Sequence, residues 1–350
     1  MDTRKIMSLG RSSLVISLPK RWVEMNELER GDTISLDVLR DRSLVVFPGL
    51  RRKREPRKIT FKVDPTQKED SLVRTIIACY LNGYCGITLL STGIFTVAQQ
   101  KAVRGIAGPL YMGILESDTK KIHIQTLVDE SKAPVETAIR RMYVISSSMC
   151  HDAMKSLANQ DEELAKVVYT LDDDVDQLNF FLTRLLRGAI LDSDLAQELD
   201  LEPIDCLDCQ TLVHRIEHVA DHSASISKNI AALTKGQLLS DPVLEHVLQL
   251  GNEAIDLYDE AVKAFFSKDP DASNELIRRQ SRLDEKLSTC MVGETNPAIA
   301  CMICSIRDSL RRVAEYAADI AEITINHSFK PTGYRPLDEA VKNKMWWWKE

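Results

Sequence analysis

The 350-residue sequence predicts a multidomain, mainly α chain, with a β-rich head, a small α/β middle unit and a six-helix body built as tandem three-helix bundles. Three observations predict it. Residues 1–50 carry short β-branched runs punctuated by Pro and Gly, and residues 59–130 alternate strand-like with helix-like patterns. Residues 131–330 are helical throughout and repeat themselves. With 44% apolar and 28% charged residues, a wholly disordered or collagen-like chain is excluded. The longest stretch without a charged side chain, Thr75 to Gln100, contains Asn82, Gly83, Gly86 and Gly93 and reads as helix, strand and helix. Met1–Arg11 is polar and resembles no secretory leader. The expectation is a soluble, cytoplasmic protein with no transmembrane segment, its eight cysteines reduced.

In the head, Leu14–Leu18 is β-branched and closed by Pro19, and Trp22–Glu29 fits one or two helical turns stopped by Gly31. Thr33–Leu39 alternates polar and apolar residues as a half-buried strand does, and Ser43–Phe47 returns after the turn Arg40-Asp41-Arg42. Fifty residues bury little surface alone, so strands shared with a second copy are expected. Residues 51–58 form a basic linker, open to reading as a solvated hinge or as an anion contact. Within 59–130, strands are predicted at Ile59–Val63, Gly86–Ser91, Tyr111–Leu115 and Lys121–Leu127, with helices at Lys68–Leu81 and Phe95–Ile106. The role of this unit stays open, with spacing, dimerisation and ligand sensing all possible. Residues 331–350 form a tail ending in Trp346-Trp347-Trp348, which reads as a docking patch or as core packing.

The body repeats as 131–236 and 240–330. An offset of 108 pairs Pro134-Val135 with Pro242-Val243, Asp161 with Asp269 and Asp176 with Asp284. Farther on the offset is 94, and Val219-Ala220-Asp221 pairs with Val313-Ala314-Glu315. Helices are predicted at 133–158, 161–190, 207–234, 241–267, 272–290 and 298–327.

Charge divides unevenly along the chain. Residues 1–58 hold 14 Lys+Arg against 8 Asp+Glu, leaving 31 against 44 for the rest. A basic head on an acidic body suggests a polyanion partner for the head, or two faces kept soluble. In the body, Asp172 and Asp176 flank the stripe Val168-Leu171-Val175-Leu178, and His218, Asp221, His222 and Ser225 share a face. Asp284 and Glu285 take the matching place in the second repeat, and Glu315, Asp319 and Glu322 line the last helix. Like charges four apart repel by a few tenths of a kcal/mol. Such runs beside a core need a counter-charge, either a cation or Arg311 and Arg312. Oxygen-rich sets suit Mg²⁺ or Fe³⁺, and the histidines extend the range to Zn²⁺. An ordinary solvated face is the alternative. Cys206-x-x-Cys209 and Cys301-x-x-Cys304 read as buried thiols, or as one zinc site if the two helix starts meet. No Ser/His/Asp site, P-loop or dinucleotide fingerprint is present, so a non-enzyme is expected.

The ends of the chain carry two resemblances. Arg4–Trp22, with its Leu9-Gly10-Arg11 turn and closing Pro19, followed by Gly31-Asp32 before the next strand, resembles the AbrB/SpoVT swapped-hairpin domain. That resemblance implies a homodimer with interleaved strands that grips DNA through Arg4, Lys5, Arg11, Lys20 and Arg21. Residues 131–330 resemble the PhoU family, whose third-helix signature is matched by Arg312, Glu315, Asp319 and Glu322. The first copy has His218 in the Arg place, Asp221 in the acid place, and Ser225 and Lys228 after them. The PhoU likeness implies metal ions held by Asp172, Asp176, His218, Asp221, Asp284, Glu315, Asp319 and Glu322. It also implies negative regulation of phosphate uptake, with a phosphate ABC transporter ATPase or signalling protein as partner. Together the two implied parts read as a phosphate-responsive DNA-binding transcriptional regulator. The alternatives are a non-DNA-binding interaction regulator of the transporter and, behind it, a carboxylate-bridged metalloenzyme.

Overall fold

In the computed structural model, residues 3–10, 13–38, 43–50, 56–129, 134–233, 241–289 and 296–330 are described. The chain divides into two compact units on either side of residue 55. The basic run 51–55, Arg11 and the Trp-rich tail lie outside the described residues.

The head consists of two separate antiparallel hairpins. β1 (Met7–Leu9) pairs with β2 (Ser13–Val15), and β3 (Ile34–Val38) pairs with β4 (Leu44–Pro48). The β1 strand, three residues long, has no legible period and was not expected from sequence. Gly10, at φ +72°, takes the left-handed conformation that opens the first turn. Between the hairpins, α1 (Lys20–Met25) starts after Pro19, whose fixed φ suits a helix entry. No described residue of this unit is buried, and Ile6, Leu9, Leu14, Leu36 and Val38 are each more than half exposed.

In the second unit the sheet order is β5-β6-β8-β7, from β5 (Lys58–Val63), β6 (Gly86–Ser91), β7 (Met112–Ser117) and β8 (Lys121–Thr126). β5 and β6 are parallel and joined through α2 (Glu69–Leu81), and α3 (Val97–Ala107) precedes β7. Ile87, Leu89, Ile122 and Ile124 share one core with Leu72 and Ile76 of α2 and Val103 of α3. The helices therefore cover one face of the sheet. Thr96 caps α3 in a reciprocal box with Gln99, whose buried amide also donates to Asp64 O and Gln67 O at 2.9 Å each.

The body holds α4 (Val135–Asn159), α5 (Glu162–Thr170), α6 (Asp172–Leu191), α7 (Ser193–Glu198), α8 (Pro203–Leu233), α9 (Asp241–Ser267), α10 (Pro270–Thr289) and α11 (Pro297–Ser328). The single helix expected over 161–190 is two, α5 and α6, because Asp172-Asp173-Asp174 favours the start of a helix, where carboxylates meet the positive end of the dipole. The short α7 occupies the long connection after it. The repeat is visible in atomic detail. Gln160 (φ +54°) and Lys268 (φ +55°), 108 apart, end α4 and α9 in the same left-handed turn. Asp161 then caps α5 through Leu164 N at 2.9 Å, and Asp269 caps α10 through Asp271 N and Ala272 N at 3.0 Å.

The α/β domain docks on the C-terminal half of α6. Arg184, only 2% exposed, donates to the carbonyls of Tyr80 and Tyr84 and lies over the Tyr80 ring at 4.6 Å. Arg187 donates to Leu81 O at 3.2 Å and to Asn82 Oδ1 at 2.9 Å. Both cations thus satisfy the last carbonyls of α2, where the helix dipole is negative.

Candidate functional site

The third helices of the two repeats, α8 and α11, run antiparallel. Asp208 meets His327 (3.0 Å), Arg215 meets Asp319 (2.7 Å), and Asn229 meets Ser305 (3.2 Å). This direction decides the cysteine question. Cys206 and Cys209 open α8, whereas Cys301 and Cys304 lie beside its far end, roughly 30 Å away at 1.5 Å per residue. The two pairs cannot share one zinc. Burial, then the nearby Asp205 charge, pushes the thiols of Cys206 and Cys209 up to about 11 and about 12, which keeps them protonated.

The first-repeat acids gather where α6 meets α8. Burial, followed by the charges of Asp221 and Asp176, pushes the Asp172 carboxyl up to about 6. Asp176 is raised by burial and then by Asp221 and Asp173. Glu217 joins them, lifted to about 7 by burial and by Asp221, Asp176 and Asp172. This fourth acid was not named from sequence. The offset of 94 would have found it, since it places Glu217 at the position of Arg311. His218 packs its ring 5.2 Å from that of Tyr316, with its Nε2 3.5 Å from Glu217 Oε2. Lys228 eases the repulsion on Asp172 and caps the Tyr169 ring at 4.2 Å.

The second-repeat acids have partners. Arg311 Nε lies 2.7 Å from Asp284 Oδ1 and 3.2 Å from Glu315 Oε1, and Arg312 reaches Glu315 Oε2 at 2.7 Å. Asp319 pairs with Arg215 at 2.7 Å, and Glu322 is exposed. The eight side chains named from sequence therefore do not form one equivalent pair of sites. Among the described residues, no three His, Cys, Asp or Glu side chains converge as a ready metal-binding group.

The basic residues of the head are placed outward. Lys5, Lys20 and Arg21 are exposed, and Arg4, also exposed, donates to Thr3 O at 3.2 Å. Lys20 stands 3.6 Å from Glu24 one helical turn on.

Comparison with known proteins resolves the two ends of the chain. Residues 139–230, from α4 to α8, match the PhoU domain, and residues 8–57 match the antidote-toxin recognition domain MazE of bacterial antitoxins. The chain is thus similar to a PhoU domain over 139–230 and to a MazE-type domain over 8–57. The PhoU homologue of Clostridium acetobutylicum, a phosphate-specific transport system accessory protein, is 24% identical over 172 residues, covering 49% of this chain and 70% of the relative. The crystal structure of PhoU from Pseudomonas aeruginosa aligns with a TM-score of 0.49 at 20% identity, over 55% of this chain and 93% of that one. That of the phosphate transport system regulatory protein PhoU from Streptococcus pneumoniae aligns with a TM-score of 0.45 at 18% identity, over 56% and 94%. The PhoU match falls on the repeat that holds Asp172, Asp176, Glu217 and Asp221. Among the described residues no helix is long and apolar enough to cross a membrane.

Proposed function

We propose that the chain is a dimeric regulator of phosphate uptake that binds DNA through its head and a cation through the first repeat of its PhoU domain, and that it acts without catalysis of its own. One observation carries this reading: a PhoU domain and a MazE/AbrB-like domain occupy the same chain. The uncovered apolar residues of the head support the dimer, because two hairpins with no buried side chain need a second copy to bury them. Arg4, Lys5, Lys20 and Arg21 would then contact phosphates of the duplex.

The donor chemistry of the first repeat fits a hard cation. Asp172, Asp176, Glu217 and Asp221 would supply oxygen ligands, and burial followed by mutual repulsion raises the proton affinities of Asp172, Asp176 and Glu217. A bound Mg²⁺ or Fe³⁺ would supply that charge. The second repeat fits poorly, since three arginines already hold Asp284, Glu315 and Asp319. A phosphate-transporter ATPase or signalling protein is the partner proposed for the helical body.

A gel shift of the full chain on its own promoter at ~50 and ~200 mM salt tests the DNA claim, with binding expected at the lower salt and a steep loss at the higher. No shift at either salt, with the dimer intact by sedimentation, removes it. Elemental analysis of protein purified without added metal tests the cation. An Asp172→Asn/Glu217→Gln variant should lose any metal found, and a metal retained by that variant would overturn the assignment.

A further inference from the structure

We propose that the open face of the α/β sheet is a second DNA-phosphate contact, made by Lys58, Lys62, Lys121 and His123. The inference rests on the DNA-binding reading above and adds a surface that lies outside the head.

Strand alternation settles which residues face outward. In β5, Ile59, Phe61 and Val63 belong to the core, leaving Lys58, Thr60 and Lys62 exposed on the other face. In β6 and β8, Ile87, Leu89, Ile122 and Ile124 point at the helices, so Thr88, Leu90, Lys121, His123 and Gln125 share the open face with Lys58 and Lys62. Register fixes the rows. Lys62 pairs with Leu90, which pairs with Lys121, and Thr60 pairs with Thr88, which pairs with His123. The helical body does not cover this face, because it docks on the C-terminal end of α2 through Arg184 and Arg187.

The face is cationic, and its two exposed lysines on β5 are available. Lys58 and Lys62 make no ion pair with a described carboxylate, and Lys121 pairs with Glu116 at 2.6 Å. Glu116, opposite His123 on edge strand β7, is the one acid in these rows. His123 is oriented by its Nδ1 contact with Thr88 Oγ1 at 2.9 Å. Lys58 and His123 converge over Gly86, where an added Cβ would meet Lys58 Cγ at 3.2 Å and His123 Cε1 at 3.4 Å. A side chain at that position would push both groups apart. The sequence brings more charge to the same strand: from Arg51 to Lys62 there are seven Lys+Arg and one Asp+Glu.

The dimensions suit a phosphodiester backbone. Lys58 and Lys62 are four residues apart, about 13 Å, and Lys62 and Lys121 are two strand spacings apart, about 10 Å. That spread covers several phosphates of a duplex with one charge per ~1.7 Å of axis. A solvated sheet face with no partner would be expected to mix signs. The body of the chain is acidic, whereas this face is basic, and a polyanion is the complementary occupant.

The test uses the full chain and fluorescence polarisation on a promoter duplex and on a scrambled duplex of equal length, across ~50–200 mM salt. Lys58→Glu/Lys62→Glu should weaken binding about tenfold or more on both duplexes. The neutral pair Lys58→Gln/Lys62→Gln should weaken it less and make the log K against log salt slope shallower by about 2. Both residues are exposed, so melting temperature should not change, and that is measured alongside. Lys20→Glu/Arg21→Glu in the head is the companion variant. Loss with the head variant but none with either sheet variant overturns the proposal and leaves the DNA-binding reading intact. Loss with the sheet variants but not the head variant keeps the proposal and removes the head from the contact. No binding by the unaltered chain to either duplex overturns both.

Discussion

The two repeats of the helical body solve the same electrostatic problem in opposite ways. In both, a carboxylate of the second helix (Asp176 or Asp284) stands near a carboxylate of the third (Asp221 or Glu315). The position between them differs in sign. The second repeat has Arg311, which pairs with Asp284 and Glu315 together. The first has Glu217 at the equivalent place, 94 residues earlier, and so adds an acid where its sister adds a base. Equivalent positions thus give one half that is internally neutralised and another that stores repulsion. The stored repulsion is what an external cation would relieve, so duplication followed by one sign change suffices to make half the body responsive.

The largest test is to impose the first solution on the second repeat. Arg311→Glu would place three carboxylates together without a base between them and should lower stability at pH 7.5, read by chemical denaturation. The loss should shrink toward pH 5 as the crowded acids take up protons. An Arg311→Glu chain as stable as its parent at pH 7.5 would break the comparison.

The reverse change is expected to be smaller. Glu217→Arg should stabilise the protein by about 1–2 kcal/mol at pH 7.5. The sign follows from proton affinity. Asp172 titrates near 6 and Glu217 near 7 in the folded chain, both above their unfolded values, so the folded state holds these protons more tightly. Stability contributed by this site is therefore greatest while both are protonated and falls as pH rises from about 4 to 7. Thermal melts of the Glu217→Arg chain should show a flatter profile over that window, and added Mg²⁺ should raise the parent's melting temperature but not the variant's.

Much of this was legible in the sequence, and the gaps have physical reasons. The repeat offsets aligned Asp161 with Asp269, and the structure shows both as helix caps, because a short-range capping rule depends only on local residue order. They also paired Asp176 with Asp284, and the spacing of four from Asp176 singled out Asp172. What periodicity could not tell was the direction in which α8 and α11 pack, and that direction separates the Cys206/Cys209 pair from Cys301/Cys304. Nor could it say which partner a charge would choose. Arg215 lies ten residues before Ser225, Asp319's counterpart at the offset of 94, yet antiparallel packing brings Arg215 and Asp319 to 2.7 Å. Arg184 was silent for the same reason, since an arginine in a leucine-rich helix looks solvent-facing until another domain's helix end is placed against it. The break at Leu171 was readable from three consecutive aspartates but lay inside an unbroken apolar stripe, and the stripe dominated the reading.

The seam between the repeats gives a third test, of about 1 kcal/mol. Where α4 meets α9, Gly251 leaves room for the Met154 side chain, and an added Cβ would collide with Met154 Sδ and meet Leu310 Cδ1 at 3.4 Å. Gly251→Ala should destabilise by that amount, although alanine is the better helix former. Met154→Ala on its own opens a cavity, and the double variant should recover part of both losses. A double-mutant cycle with no coupling would mean that the two helices do not meet as described.

The smallest effect is expected at the second arginine of the neutralised half. Arg312 is more than half exposed and shares Glu315 with Arg311, so its removal leaves the carboxylate still paired. Arg312→Ala should cost no more than about 0.5 kcal/mol, and less at high salt. At the equivalent place in the first repeat stands His218, and no arginine pairs with Glu217 beside it; the ring packs on Tyr316 instead. His218→Ala should therefore cost more than Arg312→Ala and should be insensitive to salt, because what it removes is ring packing. If salt acted equally on both variants, the difference between the repeats would lie in packing throughout, and the contrast of sign at Glu217 and Arg311 would be incidental.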